Sequence, residues 1–212
     1  MSFRRSSRCV AALIVALPVA STAAAEFTHF DDAKPGALPS NWLGTLTGNG
    51  SSQWSIVREA SAPSAPHVLK QSGVADYPLC LKTDATLGDG FVEVKFKPVS
   101  GREDQSGGVV WRAKDANHYY VARANALENN VRIYRVVAGQ RIQLGTANAK
   151  VAGGQWHTLR VEFEGSALVV IFDGKQVLAA KDPTFTAPGL IGVWTKADSV
   201  TLFDDFGWGP KS

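Results

Sequence analysis

The chain of 212 residues carries 22 lysines and arginines against 19 aspartates and glutamates, a formal net charge of +3, with 20 glycines, 10 prolines and 2 cysteines. The excess charge is Arg4, Arg5 and Arg8, so residues 26–212 balance 19 basic against 19 acidic side chains. A neutral body of 187 residues excludes nucleic acid or an anionic membrane as a bulk electrostatic partner, and it is long enough for one domain with a sizeable core.

The three arginines precede an apolar run over residues 10–20, and Ala23-Ala24-Ala25 supplies small residues for cleavage. This pattern predicts a secretory signal peptide over residues 1–25 and a periplasmic or extracellular protein. The run is too short for a spanning helix, and no second run is longer, so no transmembrane anchor is expected. Cys9 leaves with the leader and Cys80 has no partner for a disulfide. Pro78-Leu79-Cys80-Leu81 reads as a buried strand, where the thiol packs as a small hydrophobe.

From residue 26 onward the chain reads as short strands between Gly, Pro, Asn and Asp. Phe27 and Phe30 mark a first strand before Asp31-Asp32, and residues 34–39 form a loop from which Trp42 and Leu43 dock on the core. Trp54, Ile56 and Arg58 mark the next strand, and residues 60–66 form a Pro/Ser/Ala loop. Residues 68–71 and 79–82 are two more strands. Residues 91–98 alternate, with Val92, Val94 and Phe96 on one face and Glu93, Lys95 and Lys97 on the other.

Residues 106–144 form a block of four strands joined by three turns, at Asp115-Ala116, at residues 126–129 and at Ala138-Gly139. These turns set Arg112 opposite Tyr119, Arg123 opposite Arg132 and Tyr134 opposite Gln143. Because side chains alternate, such registers define two faces. Val109, Trp111, Tyr120, Ala122, Ala124, Val131, Ile133, Ile142 and Leu144 make a core face. Arg112, Tyr119, Arg123, Asn125, Arg132, Tyr134, Arg141 and Gln143 make a polar face with four arginines and two tyrosines.

Residues 156–164 alternate with Leu159, Val161 and Phe163 inward, and Gly165-Ser166 turns them into residues 168–173. Asp173-Gly174 signals a hairpin into residues 176–180. Residues 189–196 and 199–208 close the chain, which has no internal repeat, low-complexity segment or linker. About a dozen strands with hairpin connections imply an all-β fold of two antiparallel sheets packed face to face. A closed barrel would also accommodate them, but aromatic residues in both halves of the chain favour the sandwich.

Gly154-Gln155-Trp156-His157-Thr158-Leu159, followed by Phe172-Asp173-Gly174-Lys175, resembles a strand pair of laminin G-like and concanavalin A-like jelly rolls. Gln105-Ser106-Gly107-Gly108-Val109-Val110-Trp111-Arg112 resembles a strand of secreted 3-keto-disaccharide hydrolase domains, which are grouped with family 16 glycoside hydrolases. Gly189-Leu190-Ile191-Gly192-Val193-Trp194 and Phe203-Asp204-Asp205-Phe206 are similar to the closing strands of that group. The resemblance implies a jelly-roll sandwich whose concave sheet faces a sugar, and an activity on 3-keto-glycosides or related activated glycosides. The family's carboxylate positions fall on Tyr120 and Asn125, neither of them acidic, and the Glu-x-Asp-x-x-Glu pattern of family 16 glucanases is absent. A non-catalytic carbohydrate-binding or adhesion module of the same fold is therefore the alternative.

The candidate ligand residues are Arg112, Tyr119, Arg123, Asn125, Arg132 and Tyr134. Guanidinium groups donate in a fixed fork and stack on rings, which suits sugar hydroxyls or a carboxylated sugar. The competing reading is a solvated face whose arginines pair with nearby acids such as Asp104, Asp115 and Glu128. Glu162 and Glu164 share a strand face with Arg160 and read as solvated charge. Trp194 shares a face with Lys196 and is either a sugar platform or a core residue. Asp31, Asp32, Asp204 and Asp205 lie near opposite chain ends that jelly rolls bring together, and could hold a structural calcium ion. No other cofactor is expected: the four histidines lack zinc spacing, and no phosphate loop is present.

Overall fold

A computed structural model describes residues 24–211. The predicted leader, with Cys9, lies outside the described residues apart from Ala24 and Ala25. Fifteen strands follow in order: β1 (Glu26–Thr28), β2 (Trp42–Ser51), β3 (Trp54–Arg58), β4 (His67–Gln71), β5 (Val74–Leu87), β6 (Gly90–Ser100), β7 (Ser106–Asp115) and β8 (His118–Asn125). Then come β9 (Asn130–Val137), β10 (Gln140–Asn148), β11 (His157–Glu164), β12 (Ala167–Phe172), β13 (Lys175–Lys181), β14 (Gly189–Trp194) and β15 (Val200–Gly209). Among the described residues there is no helix, and hence none long and apolar enough to cross a membrane.

One sheet runs β13-β12-β11-β6-β15-β4-β3, with β1 added on β15; the other runs β10-β9-β8-β7-β14-β5-β2. The fold is the expected all-β jelly-roll sandwich, antiparallel throughout its ladders. Inward residues of both sheets form one core, including Val94, Phe96, Val109, Trp111, Val161 and Phe203. Cys80 is among them, and burial pushes its thiol far above the ordinary range, which suits packing and not nucleophilic chemistry.

The second sheet also buries part of its other face, where Leu79, Leu81, Val110, Tyr119, Val121 and Trp194 form a smaller apolar cluster. The reason is curvature. Strands β2 and β8 are four places apart, roughly 19 Å on a flat sheet. Yet Thr47 Oγ1 of β2 lies 2.8 Å from the Tyr119 hydroxyl of β8. Thr47 also donates to the carbonyl of Ala116 in the β7–β8 turn. The sheet therefore curls until its β2 edge latches onto that turn, and the enclosed face is concave.

Two registers are as expected, with Arg123 opposite Arg132 and Tyr134 opposite Gln143. The β7–β8 ladder keeps the expected register from Ser106 to Trp111, then shifts before Asp115. Arg112 sits in that bulge with φ 49°, which turns its side chain out of the strand's alternation. Ile142 departs from the core face and is exposed, since a register shift follows Gln143 on the edge strand β10. Leu43 is likewise exposed on the edge strand β2 while its neighbour Trp42 is buried.

Candidate functional site

The concave face is built from β9, β8, β7 and β14, with β10 and β5 curling toward each other across it. Gly108 of β7 pairs with Arg123 on one side and Trp194 on the other. A Cβ at Gly108 would lie 3.1 Å from that of Arg123 and 2.5 Å from the Ala122 carbonyl. The glycine is thus the floor between the guanidinium and the indole.

Over this floor the polar residues form two groups. In the first, Glu128 Oε2 accepts from Arg123 Nη2 at 2.9 Å and from Asn130 Nδ2 at 3.0 Å, and lies 3.1 Å from Arg132 Nη2. Arg123 Nη1 also donates to Asn130 Oδ1, and Arg132 Nη1 reaches the Tyr134 hydroxyl at 3.5 Å. Burial works against ionisation of Glu128, but the Asn130 amide and the two guanidiniums outweigh it and hold the carboxyl below its usual range. Beside this group, Lys196 Nζ donates to Asp104 Oδ2 at 3.2 Å, and Asp104 Oδ1 accepts from Ser106 and Ser199. A hollow of about 640 Å³ opens against Glu128, bounded also by Asn129, Asn148, Ala149 and Lys150.

The second group is aromatic. The guanidinium carbon of Arg141 lies 4.4 Å from the ring centre of Tyr134, 4.8 Å from Tyr77 and 5.8 Å from Trp194. Tyr77 and Trp194 stack with their ring centres 5.8 Å apart. Arg141 therefore spans the cleft from β10 to β5 as a cation over three ring faces.

Several donors on this face have no partner among the described residues. Arg123 Nε, Asn125 Nδ2, Arg132 Nε and Arg141 Nη1 are all shielded from solvent and unbonded. Those atoms are closed to solvent; Arg132, Arg141 and Tyr77 are part-exposed and give the face its open polar and aromatic surface.

The six predicted ligand residues separate into two sets. Arg123, Arg132 and Tyr134 come together as expected. Arg112 does not join them. It is fully buried on the other side of β7, where Nε donates to the Gly88 carbonyl at 2.7 Å and Nη1 to those of Gly165 and Phe185 at 2.8 and 2.7 Å. Its Nη2 donates to Asp89 at 2.8 Å, and the group lies over the Phe163 ring, so it clasps the end of the sandwich. Tyr119 is on the concave face but wholly enclosed, its hydroxyl held by Thr47. Asn125 is also enclosed, and its Oδ1 accepts the Leu127 and Glu128 amides to shape the β8–β9 loop.

Sequence reasoning left three contributors out of the site. Arg141 was on the predicted face, but its reach to Tyr77 depends on the curl. Tyr77 and Asn130 carry no local signal for this role. Trp194 proves to be both a buried residue and part of the ring cluster. Glu162 accepts from Arg160 at 3.0 Å, and Glu164 lies 3.8 Å from Lys211, away from this face.

Of the aspartates considered for calcium, Asp31, Asp204 and Asp205 are held by donors of the protein itself. Among the described residues no three His, Cys, Asp or Glu side chains are placed to hold a metal ion. Asp31 accepts the His67 amide, and Asp204 accepts the amides of Ser64 and Asp205. Asp205 accepts from Lys95 at 2.6 Å, Ser64 Oγ at 2.5 Å and His29 Nδ1 at 2.6 Å. This is not a nucleophile triad, because Ser64 and Asp205 meet the same imidazole nitrogen. Another hollow, of about 610 Å³, lies beside this cluster between Phe27, His29, Asp31, Asn41 and Trp42, apart from the arginine face.

Residues 30–206 match the sequence model of the 3-keto-alpha-glucoside-1,2-lyase-like domain. Among solved structures, the carbohydrate binding module CBM66 from Bacillus subtilis superposes with a TM-score of 0.64 at 20% identity, covering 78% of this chain and 93% of that one. The Bacillus licheniformis beta-glucanase gives 0.58 at 12% identity, covering 91% and 100%. A beta-1,3-1,4-glucanase from a mouse hindgut metagenome gives 0.58 at 13%, covering 88% and 99%. At these identities the superpositions establish the shared fold. No curated protein matches the chain.

Proposed function

We propose, from the premise that the chain belongs to the 3-keto-alpha-glucoside-1,2-lyase-like domain family, that this carbohydrate-related β-sandwich binds a saccharide on its concave face as a secreted recognition protein. The observation that carries the reading is the part-exposed pair Arg132 and Arg141 set beside Tyr134 and Tyr77, with Arg132 reaching the Tyr134 hydroxyl and Arg141 lying over both rings. Ring faces and convergent donors are the two elements by which proteins hold sugars in a cleft. The charged N-terminus, apolar run and alanines of residues 1–25 support secretion.

Binding is favoured over cleavage because the carboxylates of the face are occupied. Glycoside hydrolysis by the common route needs a protonated acid and a second free carboxylate. Glu128 is held anionic between two arginines, and Asp104 is buried against Lys196 and two serines. The family is named for a 1,2-lyase, whose elimination needs a base in place of that acid pair, and the carboxylates Glu128 and Asp104 are already engaged with cations.

Calorimetry of the purified chain against a panel of neutral, oxidised and acidic oligosaccharides tests the reading, with Arg132→Ala as the control. Arg132 is the better probe than Arg123, whose removal also unpairs the enclosed Asn130. Binding that weakens about tenfold or more in Arg132→Ala, with the melting temperature retained, is the expected result. Equal affinity in the variant would remove the concave face as the site. Product release from 3-keto-glycosides on incubation would replace recognition by catalysis.

A further inference from the structure

The charge on the concave face is unbalanced, and the imbalance names a class of ligand. Arg123, Arg132, Arg141 and Lys196 stand against two carboxylates, Glu128 and Asp104. That leaves two positive charges in excess, and Lys150 at the rim of the adjoining hollow adds to the same sign. Residues 26–212 are neutral as a whole, so the excess is local and not a reflection of composition.

The nature of the cations matters as much as their number. Arg123 is 2% exposed, and its Nε has no acceptor although Nη1 and Nη2 are bonded to Asn130 and Glu128. Arg132 shares the same Glu128 oxygen and also has an unbonded Nε. One carboxylate oxygen thus serves two guanidiniums. Among the described residues Arg141 has no carboxylate within ion-pair distance, and its charge rests on three ring faces. Guanidinium donors in a fixed fork are matched by a planar, two-oxygen acceptor. A neutral sugar offers hydroxyls that both donate and accept, and would leave the charge excess in place.

We infer that the ligand of this face is a saccharide bearing a carboxylate, a uronic acid unit, whose two oxygens are taken up by the part-exposed guanidiniums of Arg132 and Arg141 while the sugar ring lies against the part-exposed Tyr77. The inference rests on the proposal that this face binds a saccharide, and it adds the class.

The test is calorimetric titration of the purified chain with oligogalacturonate, oligoglucuronate and oligomannuronate, each paired with its carboxyl-reduced form. At least one uronate binds about tenfold or more tightly than its reduced counterpart, as expected of a charge-assisted bidentate contact. The advantage shrinks between about 50 and about 300 mM salt, since the guanidiniums of Arg132 and Arg141 are part-exposed. Arg141→Gln removes most of it, and Arg141→Lys, which keeps the charge but not the fork, restores only part. Equal binding of native and reduced forms, or no binding of any uronate, overturns the inference. A sulfated oligosaccharide that binds more tightly than every uronate also overturns it and assigns the charge to sulfate. Neutral oligosaccharide binding that depends on Arg132 would leave the concave face standing as a sugar site without the anionic class. Absence of binding to any saccharide would remove both.

Discussion

Thr47 of β2 accepts the hydroxyl of Tyr119 of β8 at 2.8 Å while donating its own proton to the carbonyl of Ala116. This pair joins strands four places apart in one sheet, and it sets the curvature that brings Arg141 over Tyr77. Thr47→Val keeps the shape and removes the hydroxyl, leaving Tyr119 and the Ala116 carbonyl without partners. A loss of about 1–3 kcal/mol in urea denaturation is expected. Because the latch shapes the cleft, saccharide affinity falls as well. Unchanged stability would mean that the curl is held by the sheet alone.

Arg112 provides a different test. Three backbone carbonyls and Asp89 converge on a guanidinium that is fully buried. Arg112→Met removes all four bonds, orphans the carbonyls of Gly88, Gly165 and Phe185, and destabilises by about 3 kcal/mol or more. The folded fraction of the variant binds saccharide with wild-type affinity, since the residue lies away from the concave face. A selective loss of affinity with stability intact would return Arg112 to the ligand site.

These two residues show where sequence reading succeeds and where it stops. Alternation and turn chemistry assign faces correctly for Val109, Trp111, Tyr120, Ala122, Arg123 and Arg132, because a buried face enforces register over a whole ladder. The assignment fails at Arg112, where a bulge with positive φ breaks the period of two, and residue types alone do not announce a bulge. Tyr119 has the predicted face but not the predicted role, since enclosure by Thr47 depends on a partner 72 residues away. Tyr77 entered the cleft for the same reason: curvature is a property of the assembled sheet.

The Asp204–Asp205 bulge yields a pH dependence. Burial raises the Asp204 carboxyl to about 6, opposed by the Ser64 and Asp205 amides and reinforced by the charges of Asp205 and Asp31. A folded carboxyl that titrates above its unfolded value favours the protonated form, so its stabilising contribution is present at low pH and is lost as pH rises through about 6. The carboxyls held low, among them Asp205, Glu128 and Asp182, act oppositely, with contributions complete once pH exceeds their unfolded range near 4. Melting temperature is therefore expected to climb from pH 3 to about 5 and to decline between about 5 and about 7. A carbon-detected NMR titration that places the Asp204 carboxyl in the normal aspartate range would remove the cause of the second limb.

Calcium dependence is decided by the same carboxylates. An ion of this kind takes six to eight oxygen ligands. Asp205 already receives an ammonium, a hydroxyl and an imidazole N–H, and Asp204 receives two backbone amides. Binding calcium would require Lys95 to leave Asp205 and the Ser64 amide to leave Asp204, so each new oxygen contact would be set against a broken charge-assisted bond. The melting temperature should be the same with millimolar calcium and with excess chelator. A rise of several degrees with calcium, lost in Asp205→Asn, would show that the ion displaces Lys95 and that the terminal aspartates are a metal site after all.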